Sequence, residues 1–190
     1  MVLADLGPKF KAEIPTVIQN LKLCDKQQPR PLPANVYPLG GLAPGYAESV
    51  PSLIAALKDA NPRAREAAAY DLGTLRPKDL PVAKAAIPTL IETLQDADRI
   101  VRITAAEAIW NINRTQSQIT IPTLIGLLNE PDYIVRLRAV DLLWQAGPEA
   151  APALPALEKA LHDNARIVQM WASEALAQIR SAISNQAHSK

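Results

Sequence analysis

The sequence predicts an all-α fold, a right-handed α-solenoid of about four full helix pairs preceded by a partial N-terminal repeat. Three observations predict it. Pro51, Pro88, Pro122 and Pro155 recur at intervals of 37, 34 and 33 residues, and self-similarity at such a period marks stacked repeats. Each of these prolines sits in a similar segment, VPSLIAALKD, IPTLIETLQD, IPTLIGLLNE and LPALEKALHD. The composition is 48% hydrophobic but only 4% aromatic, so the apolar mass is Ala, Leu, Ile and Val, as in close-packed helices.

The prolines, 17 in all, fit helices when they stand in a first turn, where the missing N–H has no intrahelical partner to lose. Counting from each repeat proline, position +2 is Leu53, Leu90, Leu124 and Leu157, and position +6 is Leu57, Leu94, Leu128 and Leu161. This i, i+4 spacing lays one apolar stripe along a first helix. Position +8 is Asp59, Asp96, Glu130 and Asp163, followed by a short polar turn. A second stripe then runs through Ala64, Val101, Val135 and Val168 at +13, Ala68, Ala105, Ala139 and Ala172 at +17, and Leu72, Ile109, Leu143 and Leu176 at +21. Neither helix buries its face alone, so each pair must pack on its neighbours.

The phrase IPTLIETLQDADRIVRITAAEAI, with its pattern of an acid, then Val-Arg, then paired alanines, resembles the short HEAT-like repeats of the bilin-lyase repeat family and of many bacterial scaffold proteins. The resemblance covers Val50 to about Ile179. It implies that first helices form a convex face, that second helices line a concave one, and that the acid and the arginine build a polar ladder. Pairs such as Asp96 with Arg102 and Glu130 with Arg136 are read as rungs of that ladder rather than as catalytic groups. Two departures stand out. The glycine near the end of the second helix survives as Gly73 but becomes Trp110 and Trp144, and the ladder arginine, present as Arg65, Arg102 and Arg136, becomes Gln169. The last repeat therefore reads as an end cap.

Upstream, IPTVIQNL at residues 14–21 matches IPTLIETL at 87–94. Residues 1–26 are read as a partial repeat, and the chain as beginning inside one, either as a fragment of a longer protein or with a decayed first repeat. Residues 27–49 are too rich in Pro and Gly for a helix and take the place of a second helix. Val36, Tyr37, Leu39, Leu42 and Tyr46 suit a segment packed along the stack better than a solvated linker. Residues 50–183 form the four repeats and 184–190 a polar C-terminal tail.

Functional signal concentrates on the second helices, at +15, +16, +19 and +23, which point away from the core stripe. These positions carry Ile103, Thr104, Glu107 and Asn111, then Leu137, Arg138, Asp141 and Gln145, then Met170, Trp171, Glu174 and Gln178. Glu107, Asp141 and Glu174 form a row of carboxylates, and Ile103, Leu137 and Met170 a parallel apolar row that a solvated face does not need. Such a groove suits a protein or peptide with basic residues beside apolar anchors. Trp110 and Trp144 share position +22, one step from the core, where packing between alanine-rich helices is the favoured role. Trp171 is expected to be exposed, and tryptophan dominates many binding interfaces. The candidate partner-binding set is Ile103, Glu107, Trp110, Leu137, Arg138, Asp141, Trp144, Met170, Trp171 and Glu174.

Other classes find little support. His162 and His188 are the two histidines, and neither stands where a general base is needed. Glycine-rich phosphate loops, zinc spacings and histidine-glutamate metal motifs are absent from the sequence, so no catalytic residue, cofactor or metal is expected. The formal net charge of +1 is far from that of a dedicated nucleic-acid binder, and the acidic row opposes binding of duplex DNA as in helical-repeat glycosylases. The family resemblance implies an alternative role as a bilin-lyase-like subunit handling a linear tetrapyrrole. The single cysteine, Cys24, excludes an internal disulfide, and no stretch reaches the ~18 apolar residues of a membrane span. The chain is read as soluble and cytoplasmic.

Overall fold

The computed structural model describes residues 50–75 and 80–188. The expected partial repeat at 1–26, with Cys24, and the segment at 27–49 lie outside the described residues. Every regular element among the described residues is helical, and the helices form the successive pairs of an α-solenoid repeat. First helices are α1 (Val50–Ala56), α3 (Ile87–Thr93), α5 (Ser117–Leu127) and α7 (Leu154–Ala160). Second helices are α2 (Pro62–Gly73), α4 (Arg99–Ile112), α6 (Tyr133–Ala146) and α8 (Arg166–His188). The chain divides into two compact units, Met1–Asn113 and Arg114–Lys190. In the first, α1 packs on α2, α3 on α4, and α2 on α4; in the second, α5 packs on α6, α7 on α8, and α6 on α8.

The two apolar stripes lie in the core. Leu53, Leu90, Leu124 and Leu157 are buried, as are the valines and alanines at +13 and +17 and the aliphatic residues at +21. Leu57, Leu94 and Leu128 are buried at +6, whereas Leu161 in the last repeat is 36% exposed.

Second helices start where a short side chain caps them. The Asn61, Asp98 and Asp132 side chains accept the N–H groups of Arg63, Ile100 and Ile134 at 2.9, 2.8 and 2.9 Å, satisfying donors that a helix start leaves open. Pro51, Pro88 and Pro155 each stand second in their helix, but α5 begins at Ser117, so Pro122 lies inside it. That helix forgoes one i→i−4 bond at an exposed residue. Gly147 ends α6 at φ 60, a left-handed conformation that costs glycine little. Helix α8 continues to His188, through most of the polar stretch set off as a tail.

The ladder is real but wired differently from its expected form. Arg65 Nε and Nη2 donate to Asp96 Oδ2 and Oδ1 at 2.6 and 2.7 Å, one repeat further on. Its Nη1 donates to the carbonyls of Asp59 and Ala60 at 2.8 and 3.1 Å. Arg136 repeats this in the second unit, with Asp163 as its carboxylate at 2.7 Å and Glu130 and Pro131 as its carbonyls. Within a repeat, then, the arginine takes the backbone carbonyl of its acid, as Arg102 does with Asp96. The planar guanidinium has one edge for its own turn and another for the next repeat's carboxylate. Gln169 keeps the first half of the pattern, donating Nε2 to the Asp163 carbonyl at 2.6 Å.

Candidate protein-binding face

Equivalent positions of the second helices differ in exposure from repeat to repeat. In the first unit the open positions are largely closed. Ile103 is 0%, Thr104 1% and Trp110 7% exposed, so the part of the candidate set on α4 is packed, apart from a half-buried Glu107. Ile103 and Trp110 are therefore buried and have no surface to offer a partner.

The second unit is different. On α8, Met170 is 59% and Trp171 37% exposed. On α6, Leu137, Arg138, Asp141 and Trp144 are half-buried. The two tryptophans join the helices: their ring centroids lie 6.4 Å apart at an interplanar angle of 83°, the edge-to-face geometry that aromatic quadrupoles prefer. Gln178 Nε2 donates to the Trp144 carbonyl at 3.1 Å, pinning α8 to α6 two turns beyond Trp171. The indole Nε1 of Trp144 is buried without an acceptor, so the ring is held by packing rather than by a hydrogen bond.

Asp141 and Glu174 occupy the same repeat position on these adjacent helices, each three residues from a tryptophan of its own helix. Residues at that spacing are neighbours on a helix surface. Asp141 Oδ2 accepts from Gln145 Nε2 at 2.9 Å, and Arg138 stands three residues before it on the same helix. Glu174 is exposed. The face thus combines an edge-to-face aromatic pair, a thioether and two carboxylates.

Two further residues belong to it. Ile134 is 50% and Ile167 39% exposed, one turn before Leu137 and Met170 on the same helices. Position +12 carries Arg63, Ile100, Ile134 and Ile167, so extending the register by one turn toward the helix start would have found them. Tyr133, 48% exposed, stands beside Ile134.

No cluster of His, Cys, Asp and Glu able to hold a metal occurs among the described residues. Among them too, no helix is long and apolar enough to cross a membrane. His162 is exposed in the turn after α7.

A family model described as HEAT repeats matches residues 39–110 and 121–187. Among solved structures, an engineered protein aligns with a TM-score of 0.58 at 20% identity, over 94% of this chain and 88% of its own. A computationally designed armadillo repeat protein for modular peptide recognition also aligns at 0.58, with 24% identity over 73% of this chain and 71% of its own. The complex of CpcE and CpcF of phycocyanin lyase from Nostoc sp. PCC7120 aligns at 0.47, with 24% identity over 81% and 70%. At these identities the likeness is one of fold. A search of curated proteins finds no significant match.

Proposed function

Since this chain belongs to the HEAT-repeat family, we propose that it is a non-catalytic binding module whose working surface is the face shared by α6 and α8. The observation that carries this reading is the run of large apolar side chains left open there: Ile134, Ile167, Met170 and Trp171 are each more than a third exposed. Scattered surface apolar residues need no explanation, but four large ones on two helices packed together leave area that association would remove from water. The carboxylates of Asp141 and Glu174 set the chemistry of the occupant. A peptide or protein segment with apolar anchors and a basic residue fits, the cation meeting two negative charges beside an aromatic face.

The arrangement supplies binding geometry and no reaction chemistry. A nucleophile with a base at hydrogen-bond distance is what catalysis would ask of it. This face offers tryptophans, aliphatic groups and surface carboxylates.

The test is selection of a displayed random-peptide library against the full chain, with the Leu137→Ala, Met170→Ala, Trp171→Ala triple variant as counter-target after circular dichroism has verified its helix content. The expected result is a consensus of Lys or Arg near Leu, Ile, Phe or Trp, with at least tenfold weaker binding to the variant. Peptides that bind parent and variant equally would place the binding surface elsewhere.

A further inference from the structure

Asp71 is the one fully buried acid among the described residues, 0% exposed, and neither carboxylate oxygen has a hydrogen-bond partner. The same position in the other repeats is Ala108, Leu142 and Ala175, all buried, so the site is built for an apolar side chain and holds a carboxyl instead. Its placement on α2 follows from Gly73. A Cβ at Gly73 would lie 2.9 Å from Ala108 Cα, so that side of α2 meets α4. Asp71, two residues earlier, is turned about 200° away from it. The charged groups of α4, Arg99, Arg102 and Glu107, are therefore on the far side. Helix α1, which also packs on α2, contributes VPSLIAA and no charge. Lys58 and Asp59 lie in the turn that leads to the start of α2, about three turns from Asp71.

We propose that Asp71 is a proton-operated latch on α2: as the neutral acid it stays packed inside the first unit, and on losing its proton to solvent it drives that side of α2 open to water. A neutral carboxyl without partners costs far less to bury than a carboxylate, which has no counter-charge among the described residues and recovers its hydration by opening.

Burial pushes the Asp71 carboxyl up from its ordinary 3.8 to about 7, which sets the range in which the latch works. Between those values the closed state holds a proton that the open state has released, so raising the pH favours opening. The open population should rise about tenfold per pH unit from about 4 to about 7, then level off once both states are ionised. The acid is thus a device for loosening the first repeat pair near neutral pH while leaving the second unit unchanged.

Native-state hydrogen exchange on the full chain, corrected for intrinsic rates, tests this between pH 5 and pH 8. The amides of α2 should lose roughly 50-fold in protection up to pH 7 and little beyond. Those of α6 and α8, read in the same sample, should show no such step. In Asp71→Ala, which installs the alanine found at Ala108 and Ala175, the step in α2 should vanish. A step that persists in that variant, or α2 protection that follows the second unit at every pH, would overturn the latch. Direct titration of the Asp71 carboxyl carbon by NMR gives an independent reading: a midpoint near 7 supports the proposal, and one near 4 refutes it.

Discussion

Arg136 directs all five of its N–H donors into one corner of the second unit: two to Asp163, one to Asn164 Oδ1 at 2.6 Å, and two to the carbonyls of Glu130 and Pro131. Both side chains of the ion pair are more than nine-tenths buried, so removal of one partner leaves the other desolvated and uncompensated. Arg136→Met is expected to cost about 3–5 kcal/mol in urea unfolding. The Arg136 hydrogen bonds hold the Asp163 carboxyl below its ordinary range. For Asp96, burial is the largest influence and raises the carboxyl, but the Arg65 hydrogen bond, the Asp98 N–H and the charges of Arg65 and Arg102 together outweigh it, and the carboxyl is again lowered. A lowered carboxyl stabilises the fold above its unfolded value near 4 and loses that contribution as the pH falls through the folded one. Stability measured by thermal unfolding should therefore fall below pH 4, less steeply for Arg136→Met, whose pair is already gone. The recurrence of acid and arginine was legible in the sequence because both repeat at fixed positions. Which acid each arginine reaches was not, because position numbers do not say whether the guanidinium edge turns back to its own loop or on to the next repeat.

At the scale of the helices, the stripes read from the repeat register are buried, Leu161 excepted, although they make up only part of the core. Where it fell short, a neighbour decided the outcome. Ile103, Leu137 and Met170 share position +15, yet they are buried, half-buried and exposed in turn. Period alone assigns one role to all three, whereas burial depends on what lies beside each helix. Ile103→Ala is expected to act as a core truncation, lowering stability by about 2–5 kcal/mol in denaturant titration, with no direct effect on the α6 and α8 face. Gly73 is the opposite case, a residue whose need the sequence hinted at and the packing explains. Because a methyl group there meets backbone rather than a flexible side chain, Gly73→Ala should lower stability by about 1–3 kcal/mol by the same measurement. Trp144 at the equivalent position of α6 shows that the helix pairs do not all approach as closely. Pro122 inside α5 also escaped the register, since the helix simply starts earlier than its proline.

For the molecule as a whole, the two compact units divide the labour. The first closes its second-helix surface and carries the unpartnered acid; the second leaves apolar and acidic groups open on α6 and α8. A pattern read along the sequence joins Ile103, Leu137 and Met170 into one row, but only the last two belong to the proposed face, with Ile134 and Ile167 extending it. The fold class was legible because stacking demands the same apolar positions in every repeat. The site was only partly so, because a binding face is defined by what the stack leaves uncovered. The most direct test is NMR mapping of a library-selected peptide on the full chain, observing the three tryptophan indole N–H groups and the Met, Leu and Ile methyl groups. The account predicts perturbation of Trp171, Met170, Ile167 and Ile134 at saturating peptide, with Ile103 and Trp110 unmoved. Perturbations centred on the first unit, with Met170 and Trp171 silent, would contradict it.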